Sequence, residues 1–484
     1  MELPRDAEIV LARRVLLLVG VGYVLVQLLA FSLDRPPSWD EAIYLSQVTR
    51  GAEPLPFVPS RARGITFLAL PALQLGASLP ALRVFLAVAS GAALTGAFRM
   101  WTPVLGSGAV AAAVLCAAAW PVLFYGSELM PNLWVALIAV AATAILARRL
   151  ARGEGRYDEL VAGVLVALAA LFRPLDAVVL TAALVLLPIA VRRATVAWTV
   201  HLVLGLIAGW APWLVEMIGR FGSVGEAFAA ANRLGHTGRW SLPTNVRQYL
   251  ALSDGPSIGP VANPELPLSG LVWLVGMAGL VTLGIRLSSR RGLLCALVVP
   301  TAVGVALAAE YVAFTGAQAP RFLLPGLVLL TLPAGVGLGS LVARSRDRGN
   351  GRVVLIAATA SIAVVAWAVV QVGIATRVEA GVTGQRASAD RAGQRIRELA
   401  ARQPCQVYAE AGFPMIGYAA GCRATPLGRV LQVWQERAAH LERQGIRPFL
   451  VLQREDEPAS PDGAVLLAEV PSQAGQRWFI YGVG

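Results

Sequence analysis

The chain has 484 residues, of which 56% are hydrophobic and only 14% charged. That balance excludes an ordinary soluble protein of this length, whose charged share is about a quarter, and requires lipid around most of the chain. The formal charge of +12 comes from arginine alone, in short clusters between apolar runs, which is the mark of membrane topology and not of a nucleic-acid surface.

Arg5, Asp6, Glu8, Arg13 and Arg14 precede a first apolar run over 15–33. The run is longer than the core of a cleaved signal peptide and lacks a small-x-small cleavage site, so it reads as a retained anchor. Directly after it comes RPPSWDEAIYLSQVTR, Arg35 to Arg50, with adjacent carboxylates at Asp40 and Glu41. Acid groups beside hydrocarbon are costly and point to a site. The plain alternative is a helix start, with Ser38 as N-cap and two acids in a first turn that favours negative charge.

Further apolar spans fall near 81–101, 104–124, 132–149, 160–173, 175–191, 196–215, 269–287, 293–312, 322–343 and 352–374. Arg13/Arg14, Arg99, Arg148/Arg149/Arg152/Arg156, Arg192/Arg193, Arg286/Arg290/Arg291 and Arg344/Arg346/Arg348/Arg352 then share one side, the cytoplasm. The other side receives loops 34–80 and 216–268, the turns 125–131 and 313–321, and the C-terminal region. The pair 160–173 and 175–191 is broken at Arg173-Pro174. One helix across both is too long and inverts every later loop, so two short helices are predicted.

Within loop 34–80, Gly64 to Ser78 is apolar but short and interrupted by Pro71, and reads as lying along the interface. Loop 216–268, rich in Gly, Pro, Asn and Ser around Trp240 and Tyr249, is expected to order only against the rest of the protein. The run Gly335, Gly337, Gly339 lies inside a span with no strand before it, which favours close helix packing over a nucleotide loop. Cys116 and Cys295 sit in apolar runs and read as packing residues. Cys405 and Cys422 lie in polar sequence, where a disulfide fits an extracytoplasmic setting. After Thr376 the pattern predicts helices over Arg391–Arg402, Phe413–Ala420 and Val430–Arg443. Strands are predicted over Cys405–Glu410, Pro448–Gln453, Val465–Val470 and Trp478–Val483.

Charged residues at the same membrane face form a short list: Asp40, Glu41, Arg61, Arg63, Glu128, Arg173, Asp176, Glu216, Glu310 and Arg321. Arg83 or Arg321 alone is explained by snorkelling to headgroups, and Glu128 by pairing with Arg173. Together the set suits transfer of a group from a lipid phosphate. A carboxylate accepts the proton of an incoming hydroxyl, and arginines steady the charge that grows on the phosphate.

The chain resembles the GT-C membrane glycosyltransferases, in the branch of protein O-mannosyltransferases and the lipid A aminoarabinose transferase. The resemblance rests on Trp39-Asp40-Glu41-x-x-Tyr44, Leu79-Pro80-Ala81-Leu82-Arg83, Tyr125-Gly126-Ser127-Glu128, Leu171-Phe172-Arg173-Pro174 and Pro320-Arg321-Phe322-Leu323-Leu324-Pro325, and covers most of 10–345. It implies a polytopic α-helical protein of about eleven transmembrane helices (1–376) with a small extracytoplasmic α/β domain (377–484), in the cell membrane. It implies inverting transfer of a sugar from a polyprenyl-phosphate carrier, the co-substrate, to a glycan, lipid or protein hydroxyl. By matching positions Asp40 is the general base, Glu41 its neighbour for orientation or acceptor binding, and Glu128 the second acid, where many relatives carry aspartate or another polar group. Tyr44, Arg61, Arg63, Arg173 and Arg321 fall on the substrate side, Arg321 foremost for the phosphate. No Asp-x-Asp element of nucleotide-sugar enzymes is present, so the residues themselves call for no divalent metal.

A transporter or flippase of a lipid-linked sugar is the rival from another class. It should carry ionisable groups or broken helices at mid-membrane and a repeat between its halves, whereas these charges cluster at span ends and no repeat is visible. A membrane-anchored binding protein needs one span and leaves the others unexplained.

Overall fold

The computed structural model describes residues 4–59, 61–153, 155–233, 242–252, 268–288, 291–314, 318–347, 351–458, 460–473 and 475–483. Trp240, Arg290 and Arg348, singled out above, lie outside them.

In chain order the helices are α1 (Asp6–Ala30), α2 (Trp39–Ser46), α3 (Gly64–Gln74), α4 (Leu79–Arg99), α5 (Thr102–Leu105), α6 (Ser107–Ala118), α7 (Trp120–Gly126), α8 (Pro131–Arg152), α9 (Asp158–Phe172) and α10 (Pro174–Ala190). They continue with α11 (Val196–Phe221), α12 (Val224–Arg233), α13 (Leu242–Ala251), α14 (Leu268–Leu287), α15 (Arg291–Phe314), α16 (Leu324–Asp347) and α17 (Gly351–Ala400). The remainder is mixed: β1 (Cys405–Ala409), α18 (Phe413–Ala420), β2 (Arg423–Pro426), α19 (Trp434–Arg443), β3 (Arg447–Arg454), β4 (Ala464–Pro471) and β5 (Arg477–Val483).

Each of the eleven predicted apolar spans is helical. Among the described residues eight helices are long and apolar enough to cross a bilayer, and α6 with α7, bent by 72°, makes a ninth if the pair is counted as one broken span. The bend falls at Ala119, whose extended backbone precedes Trp120-Pro121; proline is tolerated at a helix start but disfavours helical backbone just before it. The two short helices are α9 and α10, with Arg173 extended between them and Pro174 opening the second. The chain is a multi-pass membrane protein.

By internal contacts the chain forms two compact units. One contains Met1–Phe31, Pro59–Gly64 and Val84–Val378; the other contains Ser32–Val58, Ile65–Arg83 and Glu379–Gly484. In the first unit α8 is buried along almost its whole length, whereas α1 and α11 turn Leu18, Leu29 and Val196 outward. Exposed aliphatic rows on long apolar helices are the faces that lipid covers. Where water is excluded every polar group needs a protein partner, and the Trp101 and Trp198 indoles donate to the carbonyls of Val140 and Leu184 at 2.9 and 3.0 Å. A Cβ at Gly335 would lie 2.4 Å from the Ala112 nitrogen, and one at Gly337 2.3 Å from the Leu280 carbonyl. Glycine there lets α16 meet α6 and α14 closely. At Gly339 the nearest atom is 3.7 Å away and no such demand exists.

The second unit is built on a five-stranded sheet of order β2-β1-β3-β5-β4. β1 runs parallel to β2 and β3, and β5 is antiparallel to β3 and β4. Tyr408, Leu450, Leu452, Phe479 and Tyr481 point to one face and pack with Trp434 and Leu441 of α19. Three differences from the sequence reading stand out. β2 is four residues long with no apolar alternation, so periodicity does not reveal it. Residues 430–443 divide into a 3-10 turn ending at Val433 and then α19. The helix expected over Arg391–Arg402 is not separate: α17 runs unbroken through the last span and on to Ala400, 50 residues in all. Its polar middle, read as a break, contains no proline and carries Glu379 and Arg386, whose partners lie within the same unit.

Cys405 and Cys422 form a disulfide, closing a separation of 17 residues and tying β1 to the start of β2. Alkylation of the unreduced protein should leave both thiols unlabelled; two reactive thiols would exclude the bond. Serine at both positions should cost about 3 kcal/mol of stability, the loop-closure value for a ring of this size, measured by denaturant unfolding.

Candidate functional site

The Asp40–Glu41 pair opens α2. Ser38 accepts from the Glu41 amide at 3.3 Å while the Glu41 carboxylate accepts from the Ser38 amide at 2.9 Å, a reciprocal capping box. This is the helix start expected from sequence, but Glu41 does more. Its side chain is 1% exposed and receives both terminal nitrogens of Arg83, Nη2 to Oε2 at 3.0 Å and Nη1 to Oε1. Arg386 Nη1 stands 3.6 Å from the same carboxylate. Arg83 is therefore not a snorkelling headgroup ligand: it is 1% exposed and takes up the buried charge. Arg35, fully buried, lies 3.7 Å from Glu379, which also accepts from the Ser32 amide.

Asp40 precedes this anchor by one residue and is half-buried. Beside it Trp39 is 41% exposed and meets Phe413 edge-on at 4.8 Å between ring centres. Tyr44 is buried, its ring 6.2 Å from that of Phe57. Asp40, Glu41 and Tyr44 thus share one short helix in the second unit. The other candidates belong to the first.

There, Arg63 grips Glu216 with two nitrogens, at 2.9 and 2.5 Å, and Arg220 adds a third contact at 2.8 Å. The Trp213 indole donates to the Pro59 carbonyl at 3.0 Å and holds the same segment to α11. Arg61 is buried, and Glu128 lies fully buried just past the end of α7.

Arg173 and Arg321 come together around one aromatic ring. Their guanidinium carbons lie 5.7 and 4.9 Å from the centre of Phe322, and Phe322 stacks on Tyr311 at 5.2 Å with the planes 1° apart. Arg173 donates to Asp176 Oδ1 at 3.0 Å and to the Tyr311 hydroxyl, which itself donates to Asp176 Oδ1 at 2.5 Å. The extended backbone at Arg173 projects its side chain here, and the Trp210 indole fixes the start of α10 by donating to the Pro174 carbonyl at 3.0 Å. Guanidinium on an aromatic face keeps its charge while losing water, an arrangement chemically suited to an anion. Tyr249 of α13 lies within electrostatic reach of both arginines: burial pushes its phenol up, against the pull of Arg321 and Arg173.

Tyr311, Glu379, Arg386 and Arg35 are absent from the sequence-based list. Tyr311 follows Glu310 within a span and looks like an interfacial aromatic. Glu379 and Arg386 are seven residues apart, two helical turns, and this spacing is the one signal that set them on a common face. Among the described residues no group of three or more His, Cys, Asp or Glu is placed to hold a metal ion.

No family model matches the sequence, and no curated protein does. Solved structures do match in fold. The crystal structure of ArnT from Cupriavidus metallidurans bound to undecaprenyl phosphate superposes with a TM-score of 0.65 at 14% identity, covering 96% of this chain and 97% of that one. The Archaeoglobus fulgidus oligosaccharyltransferase in complex with zinc and sulfate gives 0.53 at 12% identity, over 90% of this chain and 68% of that one. The mycobacterial arabinofuranosyltransferase AftD gives 0.54 at 14% identity, with all of this chain on 40% of that one. The chain has the GT-C fold. The likeness to ArnT covers 96% of this chain, so it takes in the C-terminal sheet.

The buried Glu41–Arg83 pair yields a prediction. Removing either partner strands a buried charge and should cost about 3–5 kcal/mol, whereas Glu41→Leu with Arg83→Met should cost much less than the sum. Denaturant unfolding of the two singles and the double measures the coupling; additive losses would show that the pair does not hold α2.

Proposed function

We propose that the protein is an inverting glycosyltransferase that moves a sugar from a polyprenyl-phosphate carrier to an acceptor hydroxyl. The observation that carries this reading is the near-complete fold match to ArnT bound to undecaprenyl phosphate. The guanidinium pair around Phe322 supports it, because it suits a phosphate whose lipid stays in the bilayer.

In this mechanism Asp40 accepts the proton of the acceptor hydroxyl as its oxygen bonds to the anomeric carbon from the face opposite the carrier. The bond from that carbon to the phosphate oxygen breaks, and the electron pair leaves with the polyprenyl phosphate. Arg321 and Arg173 stabilise the charge that gathers there. Glu41 positions the helix that carries Asp40. Glu128, as the second acid, and Arg61, Arg63 and Tyr44 remain assigned to substrate contact by motif. The N-terminus is cytoplasmic and the sheet domain extracytoplasmic. Arginine placement supports this orientation, as does the disulfide, which belongs in an oxidising compartment.

Two variants separate the roles. Asp40→Asn should keep the wild-type melting temperature and lose about 10²–10⁴-fold in transfer rate, since an amide takes no proton. Arg321→Ala should raise the KM for the lipid donor about tenfold or more and leave the acceptor KM nearly unchanged. Full activity in the first variant would remove Asp40 as base, and unchanged donor kinetics in the second would remove Arg321 from the phosphate.

A further inference from the structure

Around the arginine pair three polar atoms are buried without hydrogen-bond partners. They are Asp176 Oδ2, Glu310 Oε2 and the Tyr249 hydroxyl. Asp176 is fully buried and Tyr249 is 8% exposed. They belong to one constellation. Asp176 Oδ1 is taken up by Arg173 and Tyr311, leaving Oδ2 open. Glu310 neighbours Tyr311 in sequence and interacts electrostatically with Asp176 and Arg173. Tyr249 is held alongside by Asn245, one turn earlier on α13, whose side-chain amide donates to the Val312 carbonyl of α15 at 2.8 Å and accepts from Gln318 at 2.5 Å. Residues four apart on a helix lie on the same face.

Leaving such atoms unmet is costly, and three of them in one place point to a missing partner. Its chemistry follows from theirs. Two carboxylate oxygens require hydrogen-bond donors, and a phenol gives or takes one bond. A phosphate supplies only acceptors, so it satisfies the guanidiniums and not the acids. A lipid chain satisfies neither. A divalent cation fits poorly beside two fixed positive charges and leaves the phenol unexplained. A sugar carries several O–H donors and, if amino-substituted, an ammonium, within a few ångströms of the phosphate that bears it.

We infer that Glu310, Asp176 and Tyr249 form the sugar-recognition edge of the donor site, taking hydroxyl or ammonium donors of the sugar whose phosphate Arg173 and Arg321 hold. The inference rests on the donor reading above and adds specificity to it. Glu310 and Tyr249 then discriminate sugar-bearing carrier from spent carrier, which favours release of the lipid product.

The test is binding by calorimetry, with the full chain in nanodiscs, of undecaprenyl phosphate and of the same lipid bearing a hexose, a pentose or an aminopentose in turn. Wild type should bind at least one sugar-bearing lipid more tightly than the bare phosphate. Glu310→Gln and Tyr249→Phe should each weaken that complex about tenfold and leave the bare lipid within about twofold of wild type. Neither effect should change with a chelator. Equal weakening of both lipids, weakening of neither, or sugar discrimination lost on removing divalent cations would overturn the inference while leaving the phosphate site intact. Wild-type protein that binds none of the lipids would overturn the donor reading as well.

Discussion

A carboxylate taken out of water has to be matched by positive charge, and Glu41 is matched twice. Arg83 reaches it from the start of α4 and Arg386 from the latter part of α17, while its own helix start closes a capping box on it. Isolated, an eight-residue helix such as α2 has little stability of its own. Its geometry comes from this buried pairing and from α18, where Phe413 meets Trp39 and the Tyr418 hydroxyl lies 3.4 Å from that of Thr49. Asp40 inherits that rigidity. A carboxylate next to a neighbour that cannot move without stranding a charge is held in place, and such preorganisation is what the proposed role of Asp40 requires.

The arginine cluster follows a different logic. Arg173 is held by Asp176, by the Tyr311 hydroxyl and by two aromatic faces, so its cost of burial is met before any ligand arrives. The neighbouring acids are met only in part. Around Glu41 the buried charges pair with one another and hold a helix in place, whereas around Arg173 the acid oxygens Asp176 Oδ2 and Glu310 Oε2 stay without hydrogen-bond partners.

Much of the architecture was legible in the sequence because hydropathy and arginine density are strong, long-range signals. The eleven apolar runs became helices, and Arg173-Pro174 separates two of them where the charge pattern demanded two short helices and not one. The strands β1, β3, β4 and β5 followed from alternation. The length of α17 was not legible, because Glu379 and Arg386 read as solvent-facing polar residues until their partners are known. The Trp39-Asp40-Glu41 motif does open a helix, α2, but its two acids look alike in sequence; only the depth of burial distinguishes the held Glu41 from the half-buried Asp40. Arg63 matched the expected residue type for phosphate binding, yet its two-nitrogen grip on Glu216 is a contact between residues 153 apart, beyond any local pattern. Arg83 shows the same limit, 42 residues from its partner.

The central claim is that a lipid phosphate leaves a sugar as an acceptor oxygen arrives on the opposite face. Its most direct measurement is the fate of the donor: the purified protein incubated with polyprenyl-phosphate sugars of different sugar type, with the released lipid quantified and the anomeric configuration of the product read by NMR. The account predicts that one donor is consumed, with polyprenyl phosphate released and the configuration inverted. Product with retained configuration, or release of a polyprenyl diphosphate, would contradict it.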